Sequence, residues 1–391
     1  MKQRILLLAP HPFFVERGTP IAVRYLVREL ISQGDEVDLV TFAGGEDFRI
    51  DGLRIYRTPA FGGWGEVPIG FSFAKLIGDF FLTIRAIGCV LKQRYQIIHA
   101  VEEAVYPALW IGAAVRTPVV YDLDSSMADQ LLEKWKSLRA VGRFFYFAES
   151  VAMRGANGLA PVCPALEERV RSLVPAKPIR ILHDVFVEGV ETAADLEDVR
   201  EGLPEGGLLV LYVGNLEHYQ GVELLYAAAR NLPREVVFII IGGSDEKIEE
   251  GREAVRQFGV EEQVRFLGPR PMSLLGGYLR QADALVSPRL LGVNTPMKLY
   301  AYLASERPVI ATEIVSHTQV VGMDQAILVP ATSEGISDGV RRLLAMADRG
   351  KQIGEAGARL VRDRYSKDGY SKNLRLLYDG VLSPGAAGPI V

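Results

Sequence analysis

The sequence predicts an α/β protein made of two doubly wound parallel-sheet domains. Three observations carry this. The chain has 391 residues, long for a single core and ordinary for two domains. Short apolar runs alternate with stretches whose apolar residues recur at helical spacing. After an acidic, turn-rich stretch beginning at Asp184, the same alternation starts again.

The elements follow in order. RILLLA is the first strand, and TPIAVRYLVRELISQG is a helix ended by Gly34. EVDLVTF and LRIYRTP are strands, and a long apolar helix comes next. YQIIHAV, TPVVYDL and GLAPVC complete the first set of short apolar runs. Strands alternating with helices indicate a parallel sheet covered on both faces. In the second half LLVLYVG, VVFIIIGG, VRFLGP, ALVSPR, RPVIAT and AILVPA read as strands. GVELLYAAARNL, TPMKLYAYLAS and SDGVRRLLAMA read as helices. The expected division is an N-terminal Rossmann-like domain over 1–183, a connection over 184–207 and a C-terminal Rossmann-like domain over 208–366. Residues 367–391 form a helix returning to the first domain and a poorly ordered tail. Two such units facing each other would make a cleft, with ligands beyond the carboxyl ends of the strands.

Composition narrows the function. A net charge of -4 supplies no general basic field for nucleic acid. Cys89 and Cys163 are too few for a disulfide framework and suggest a reducing compartment. No Cys/His cluster has metal-ligand spacing, and two Rossmann-like halves argue for a metal-independent route, so no cofactor is expected. The apolar run near the N-terminus is short and ends in Pro-His-Pro, so a first strand is expected rather than a secretory signal. The stretch from Phe71, FSFAKLIGDFFLTIRAIGCVL, is interrupted by Lys75, Asp79 and Arg85, each costly at a bilayer centre. A helix buried on most of its surface is the expectation, and a helix touching a membrane surface the alternative. The expected location is the cytoplasm, including the inner face of the membrane.

Charge-binding loops are the next signal. Thr19-Pro20 and Thr295-Pro296 each read as a hydroxyl N-cap with proline at N1, after the glycine-containing loops ERGTP and GVNTP. Such starts attract anions, although Thr-Pro is also simply a good helix start. Lys298 sits in the first turn of the second helix, where the dipole opposes a cation by about a few tenths of a kcal/mol. A bound phosphate would reverse that sign, with Arg289, Lys298 and the amides of Asn294 and Thr295 converging on it. The loop VGNLEHYQGVE offers Gly214, Asn215, His218, Gln220 and Gly221, and IIIGGSDE offers Gly243. Neither matches a known phosphate-loop pattern. Asp122 and Asp124 in YDLDSS suit a metal pair, an acceptor contact or a helix cap. His99, Glu102 and Glu103 in IIHAVEEA read as ending a strand and facing the cleft, though a lone histidine there is as well explained structurally.

Taken together, the chain resembles glycosyltransferase family 4, whose members have the GT-B fold. The resemblance runs through ERGTPIAVRYLVRELISQGDEVDLVTF, YQIIHAVEEA, TPVVYDLDSS and LYVGNLEHYQGVELL, and is most specific in SPRLLGVNTPMKLYAYLASERPVIAT. It implies a retaining, metal-independent hexosyltransferase using a nucleotide-diphospho sugar as donor and a glycan or lipid-linked acceptor, in cell-envelope glycan, polysaccharide or glycolipid synthesis. The second domain would bind donor and the first acceptor. Donor contacts are then expected at Gly18, Thr19, Gly214, Asn215, Gln220, Gly243, Arg289, Asn294, Thr295 and Lys298. Acceptor contacts are expected at Arg17, His99 and Glu102, with Lys298 and Asp124 nearest the chemistry. Several positions depart from the family. Val293 and Ala301 stand where a Glu-x7-Glu pair is common. Asn215 and Gln220 replace an Arg and a Lys, Asp124 replaces a His, and Glu306 stands at a helix end that usually holds glycine. Those losses keep two other readings open: a non-catalytic nucleotide-sugar-binding partner subunit, and a sugar-nucleotide epimerase or hydrolase.

Overall fold

The computed structural model describes residues 2–14, 18–46, 49–60, 73–134, 141–185, 196–348 and 350–383. The chain divides into two units: residues 1–183 with 367–391, and residues 184–366.

Unit 1 holds β1 (Arg4–Pro12), α1 (Gly18–Ser32), β2 (Glu36–Phe42), β3 (Leu53–Arg57), α2 (Phe73–Lys92), β4 (Ile97–Val101), α3 (Val105–Val115), β5 (Val119–Leu123), α4 (Met127–Lys134), α5 (Gly142–Gly155), β6 (Gly158–Pro161) and α6 (Pro164–Leu173). Its sheet has the order β3-β2-β1-β4-β5-β6, and every pairing is parallel. The chain runs outward from β1 to β3, then returns through α2 to start β4 on β1's other side. The switch point therefore lies between β1 and β4.

Unit 2 repeats the scheme with β7 (Leu208–Val213), α7 (Glu223–Ala229), β8 (Val236–Ile241), α8 (Asp245–Phe258), β9 (Val264–Gly268), α9 (Leu275–Gln281), β10 (Ala284–Ser287), α10 (Met297–Ala304), β11 (Val309–Thr312), α11 (Val315–Thr318), β12 (Ile327–Val329), α12 (Ser333–Ala345) and α13 (Lys351–Arg364). Its parallel sheet has the order β12-β11-β10-β7-β8-β9, with the switch point between β7 and β10. Alternation along the strands divides its core in two. Leu208, Val210, Tyr212, Phe238 and Ile240 pack on one face, and Leu209, Leu211, Val237, Ile239 and Ile241 on the other. Both faces are buried because helices cover both, which is why these strands read as unbroken apolar runs. Leu196 and Val199, in the stretch expected to be a connection, pack into this second core.

The final helix, α14 (Lys367–Leu382), belongs to unit 1. Arg375 bonds Asp35 at 3.0 Å, and Asn373 donates to the carbonyl of Ile181 at 3.1 Å. Leu374 and Leu377 are fully buried, each such side chain contributing about 1.5–3 kcal/mol.

Three local expectations are corrected. The helix α10 begins at Met297, with Pro296 in extended conformation at its N-cap and no side-chain cap bond. Lys298 is thus the second helical residue. The Thr295 hydroxyl accepts instead from Gln319 Nε2 at 3.0 Å, so it braces the loop rather than the helix end. The helix α1 begins at Gly18, one residue before Thr19, placing Thr19 and Pro20 inside its first turn. The helix from Phe71 is not buried on most of its surface either. Among the described side chains of α2 only Leu82, Ala86 and Cys89 are buried, while Leu76, Phe80, Ile84, Ile87 and Leu91 are exposed. Sequence periodicity places apolar residues on a helix but does not say which stripe meets the sheet. Glu306, the residue after the Ser305 C-cap of α10, adopts φ 61°, the left-handed conformation its glycine-like position demands.

Candidate functional site

The loops after β7 and β10 flank the switch point of unit 2, where open parallel sheets leave a crevice for ligands. Gly214 follows β7 with φ 152°. A Cβ there would stand 2.8 Å from Lys298 Nζ and 2.9 Å from Tyr212 Oη, so a side chain at this position would displace the lysine. The next strand end abuts the same loop. Gly242 and Gly243 both have positive φ, and a Cβ on Gly242 would meet the Gly214 carbonyl oxygen at 2.2 Å. Two tyrosines hold the backbone. Tyr212 Oη donates to the Asn215 carbonyl at 2.6 Å, and Tyr302 Oη, from α10, accepts from the Val213 amide at 2.7 Å.

Lys298 lies over the Tyr212 ring, its Nζ 3.9 Å from the centroid, an attractive cation–π distance. Its Nζ is out of contact with solvent and has no hydrogen-bond partner among the described residues. Burial first, and the Arg289 charge second, hold its pKa well below the ordinary lysine value. A buried ammonium facing another cation is costly. An arriving anion would relieve both causes.

Arg289 is placed differently from the sequence expectation. Its Nε donates to the Leu291 carbonyl at 2.6 Å, and its two terminal nitrogens donate to the Asn294 carbonyl at 3.3 Å and to Asn294 Oδ1 at 3.0 Å. The guanidinium closes its own loop and adds positive potential to the site. Gly292, φ 113°, permits this, since a Cβ there would fall 2.2 Å from the guanidinium. Asn215 uses its side chain locally, donating to Tyr219 Oη at 3.2 Å and accepting from the Glu217 amide at 3.3 Å. Gln220 is buried, with Oε1 lacking a partner among the described residues. Ala301 is buried in the core of unit 2, and Val293 is exposed in the loop, so neither position of the missing glutamate pair offers a carboxylate.

Behind this loop stands a residue the sequence reading did not single out. His317 is fully buried; Nε2 accepts from Ser287 Oγ at 2.9 Å, and Nδ1 donates to the Thr312 carbonyl at 2.7 Å. Burial pushes its pKa down to about 4, so it stays neutral. Thr312 Oγ1 in turn donates to the Arg289 carbonyl at 2.5 Å. This chain of bonds ties the ends of β10 and β11 to the Arg289 loop. Serine and threonine at strand ends are too common to have signalled it.

In unit 1 the expected site residues separate. His99 does not end its strand; it is the middle residue of β4 and fully buried. Its Nε2 donates to Asp122 Oδ2 at 3.1 Å, and its Nδ1 accepts from Tyr378 Oη of α14 at 2.9 Å. Both nitrogens are used, so His99 joins the sheet to α14 and is not an acceptor contact. Asp124 follows β5 and is part exposed. Glu102 follows β4 with φ 48°, and burial raises its pKa. Lys75 Nζ lies 3.7 Å from Glu102 Oε2 and 2.5 Å from Glu103 Oε1. Nearby, burial and Glu103 push Asp79 up to about 7. Gly18 and Thr19 begin α1 in this unit, and Arg17 lies outside the described residues.

The structure thus brings Gly214, Asn215, Gly243, Arg289, Asn294 and Lys298 to one sheet edge in unit 2. Comparison with known proteins gives this geometry its context. The chain spans half or less of the length of the curated relatives it matches. One of them, D-inositol 3-phosphate glycosyltransferase of Corynebacterium urealyticum, is 28% identical over 225 residues, which are 52% of this chain and 50% of that protein. Among solved structures, sucrose-phosphate synthase from Thermosynechococcus elongatus superposes with a TM-score of 0.80 at 20% identity, covering 98% of this chain and 100% of the other. HepE from Anabaena in complex with UDP-glucose superposes with a TM-score of 0.71 at 14% identity, covering 95% and 98%. At such identities these structures establish the shared two-domain, Rossmann-like fold. A model of the glycosyl transferase 4-like domain matches residues 17–184, and one of the glycosyl transferases group 1 matches residues 207–346. With a domain of each kind, one in each unit, the chain belongs to the GT4-type glycosyltransferase family.

Proposed function

We propose that the protein is a retaining, metal-independent hexosyltransferase. It would move a sugar from a nucleoside-diphospho sugar to an acceptor hydroxyl in cell-envelope glycan, polysaccharide or glycolipid synthesis, on the cytoplasmic side. The observation that carries this reading is Lys298: a dry ammonium with no hydrogen-bond partner among the described residues, in the first turn of a helix, at a switch point, beside a glycine that keeps its space open. Its charge is repelled by Arg289 until an anion arrives. UDP-sugars are the first donors to test, because HepE is solved with UDP-glucose and TarM from S. aureus with UDP.

In the proposed reaction the bond between the anomeric carbon and the leaving phosphate breaks, and negative charge grows on the diphosphate. Lys298, with the amides of Asn294 and Thr295 and those of the first turn of α10, stabilises that charge where it develops. The acceptor hydroxyl passes its proton to the leaving phosphate and forms the new C–O bond on the same face, which preserves the anomeric configuration. Asp124 and Glu102 of unit 1 orient the acceptor.

The test pairs binding with turnover. A panel of nucleoside diphosphates is screened for thermal stabilisation, which rises with ligand concentration for a species that binds only the native state. The stabilising nucleotide's sugars are then offered with a panel of acceptors. Stabilisation by a nucleoside diphosphate that Lys298→Ala abolishes supports the site, and no stabilisation by any of them overturns it. A second reading, a non-catalytic nucleotide-binding partner subunit, is favoured by the burial of Ala301, which removes the usual ribose carboxylate. Stabilisation without turnover supports that reading, and sugar transfer to any acceptor ends it.

A further inference from the structure

The helices α2, α3 and α5 lie side by side on one face of the unit 1 sheet. Right-handed crossovers place them there, since β4, β5 and β6 are added successively on the same side of β1. All three bury a face in the same core, through Leu82 and Ala86 of α2, Ala108 and Ile111 of α3, and Ala152 and Met153 of α5. The outward face of such a layer ordinarily carries polar residues. Here it is apolar. In α2, Leu76, Phe80, Ile84, Ile87 and Leu91 are exposed, Leu91 by 80%. At 100° per residue they fall within an arc of about 80°, and the row is roughly 22 Å long. In α5, Phe144, Phe147 and Val151 form a second row, Phe144 exposed by 65%. Trp110 of α3, the helix between them, is 82% exposed. Scattered apolar residues on a surface are normal; a face shared by three adjacent helices marks an interaction site.

Charge identifies the occupant. Among the described residues, the exposed charged residues of these three helices and of the positions just beyond them are Arg85, Lys92, Arg94, Arg116, Arg143 and Arg154, all cationic. The carboxylates on the same helices turn inward: Glu149 is buried against Arg169 at 2.5 Å, and Asp79 sits with Glu103 and Lys75. This local excess occurs in a chain of net charge -4. A second copy of the chain docked on this face through a two-fold axis would set these cations against one another. An anionic bilayer surface matches both components, because interfacial helices sink an apolar stripe about 5–10 Å into the lipid while flanking Lys and Arg meet the head groups. Among the described residues no helix is long and apolar enough to cross a membrane, so the contact is with the surface.

We propose that the α2–α3–α5 face of unit 1 docks on the surface of an anionic phospholipid bilayer. Docking does not depend on the transfer reaction. Only its consequence does: a unit that takes acceptor would meet a lipid-borne acceptor directly. Vesicle binding is therefore measured without donor or acceptor.

The purified chain is floated with vesicles of phosphatidylcholine alone or mixed with phosphatidylglycerol, at low and high salt. Binding to the mixed vesicles, weakened by salt, is the expected result. Phe80→Glu with Phe147→Glu, at exposed positions that leave the fold intact, reduces the bound fraction about tenfold or more. Arg85→Ser with Arg154→Ser reduces the preference for anionic vesicles by roughly fivefold per cation removed. Met323→Glu, at a 78% exposed apolar position in unit 2, leaves binding unchanged. Trp110 emission shifts to the blue on the mixed vesicles, and Trp110→Phe removes that shift. Absence of binding to either vesicle overturns the proposal, as does binding indifferent to the Phe80 and Phe147 pair. So does self-association in sedimentation that this pair abolishes, which would give the face to a second copy.

Discussion

Each unit sets a lysine beside the end of a strand at its switch point, and the two are handled in opposite ways. Lys75, next to β4, is ringed by Glu102, Glu103 and Asp79, and those carboxylates, set against burial, leave its pKa raised. Lys298, next to β7, has no carboxylate beside it among the described residues, and its pKa is depressed by burial and Arg289. One ammonium is already compensated by the protein; the other is left for something to compensate. The lesson is that a repeated architecture does not repeat its electrostatics. The matching edge of unit 1 answers its lysine with carboxylates, whereas the edge of unit 2 sets a second cation, Arg289, against it.

The outer coats differ as well. Exposed helices of unit 2 carry ion pairs one turn apart, such as Lys247–Glu250 and Arg256–Glu253 on α8 and Arg341–Asp338 on α12. The α2–α3–α5 layer of unit 1 carries aromatic and aliphatic side chains edged with arginine. Exposed pairs on a helix are worth little individually, about 0.3–0.5 kcal/mol, but they keep a surface wet.

Substituting each lysine should break the comparison most visibly. Lys75→Met leaves the carboxylates without their cation and should destabilise unit 1 by about 3 kcal/mol at neutral pH, read by chemical denaturation. A loss near zero would show that the ring is not held by charge. Lys298→Ala should reduce turnover about tenfold or more, as for loss of a preorganised charge contact. Lys298→Met should meanwhile raise the melting temperature of the free protein, because an uncompensated buried amine is replaced by an apolar chain of similar length. Unchanged kinetics, or a lower melting temperature, would count against the assigned role.

Next in size are two opposite pH responses. His317 has a folded pKa of about 4 against an ordinary value of 6.5. The unfolded chain binds the extra proton first, so unit 2 loses stability as pH falls from about 6.5 toward 4, by about 1.4 kcal/mol per unit at the steepest. Asp79 has a folded pKa of about 7 against 3.8. Here the folded state holds the proton longer, so this residue's contribution to unit 1 is lost as pH rises from about 4 through 7. Hydrogen exchange followed separately in the two units should show these opposing trends, and Asp79→Asn should flatten the one in unit 1. The smallest expected effect is Glu306→Gly, which should stabilise unit 2 by about 1 kcal/mol by removing a left-handed side-chain residue. A Cβ on Gly354 would stand 2.1 Å from the Glu306 carbonyl oxygen, so that backbone is fixed by its neighbours and cannot relax.

Most strands were legible because, buried on both faces, they announce themselves as apolar runs, and several helices by their period; the polar helices α8 and α13 escaped the sequence reading, and β3 is only part-buried. Glu306 stood out only as a residue where the resemblance expects glycine; its left-handed conformation is the structure's finding. Lys298 stood out because a cation in a first turn is locally wrong. What surrounds it was not legible. Tyr212 is 86 residues away in the chain, and its partnership with Lys298 exists only because β7 and β10 are neighbours in the sheet. His99 looked like a strand end, but α14 brings Tyr378 to it from 279 residues away and buries it.

By itself, then, the sequence determined the number of units, their parallel sheets and the loops in which charge would matter, because periodicity and chain-local conflicts are written residue by residue. Only the tertiary structure decided which donors remained available, since Arg289 satisfies its own loop while Lys298 has no hydrogen-bond partner among the described residues. It also decided which stripe of α2 faces outward. Both outcomes depend on what stands across a contact, and a chain read in one dimension does not contain its contacts.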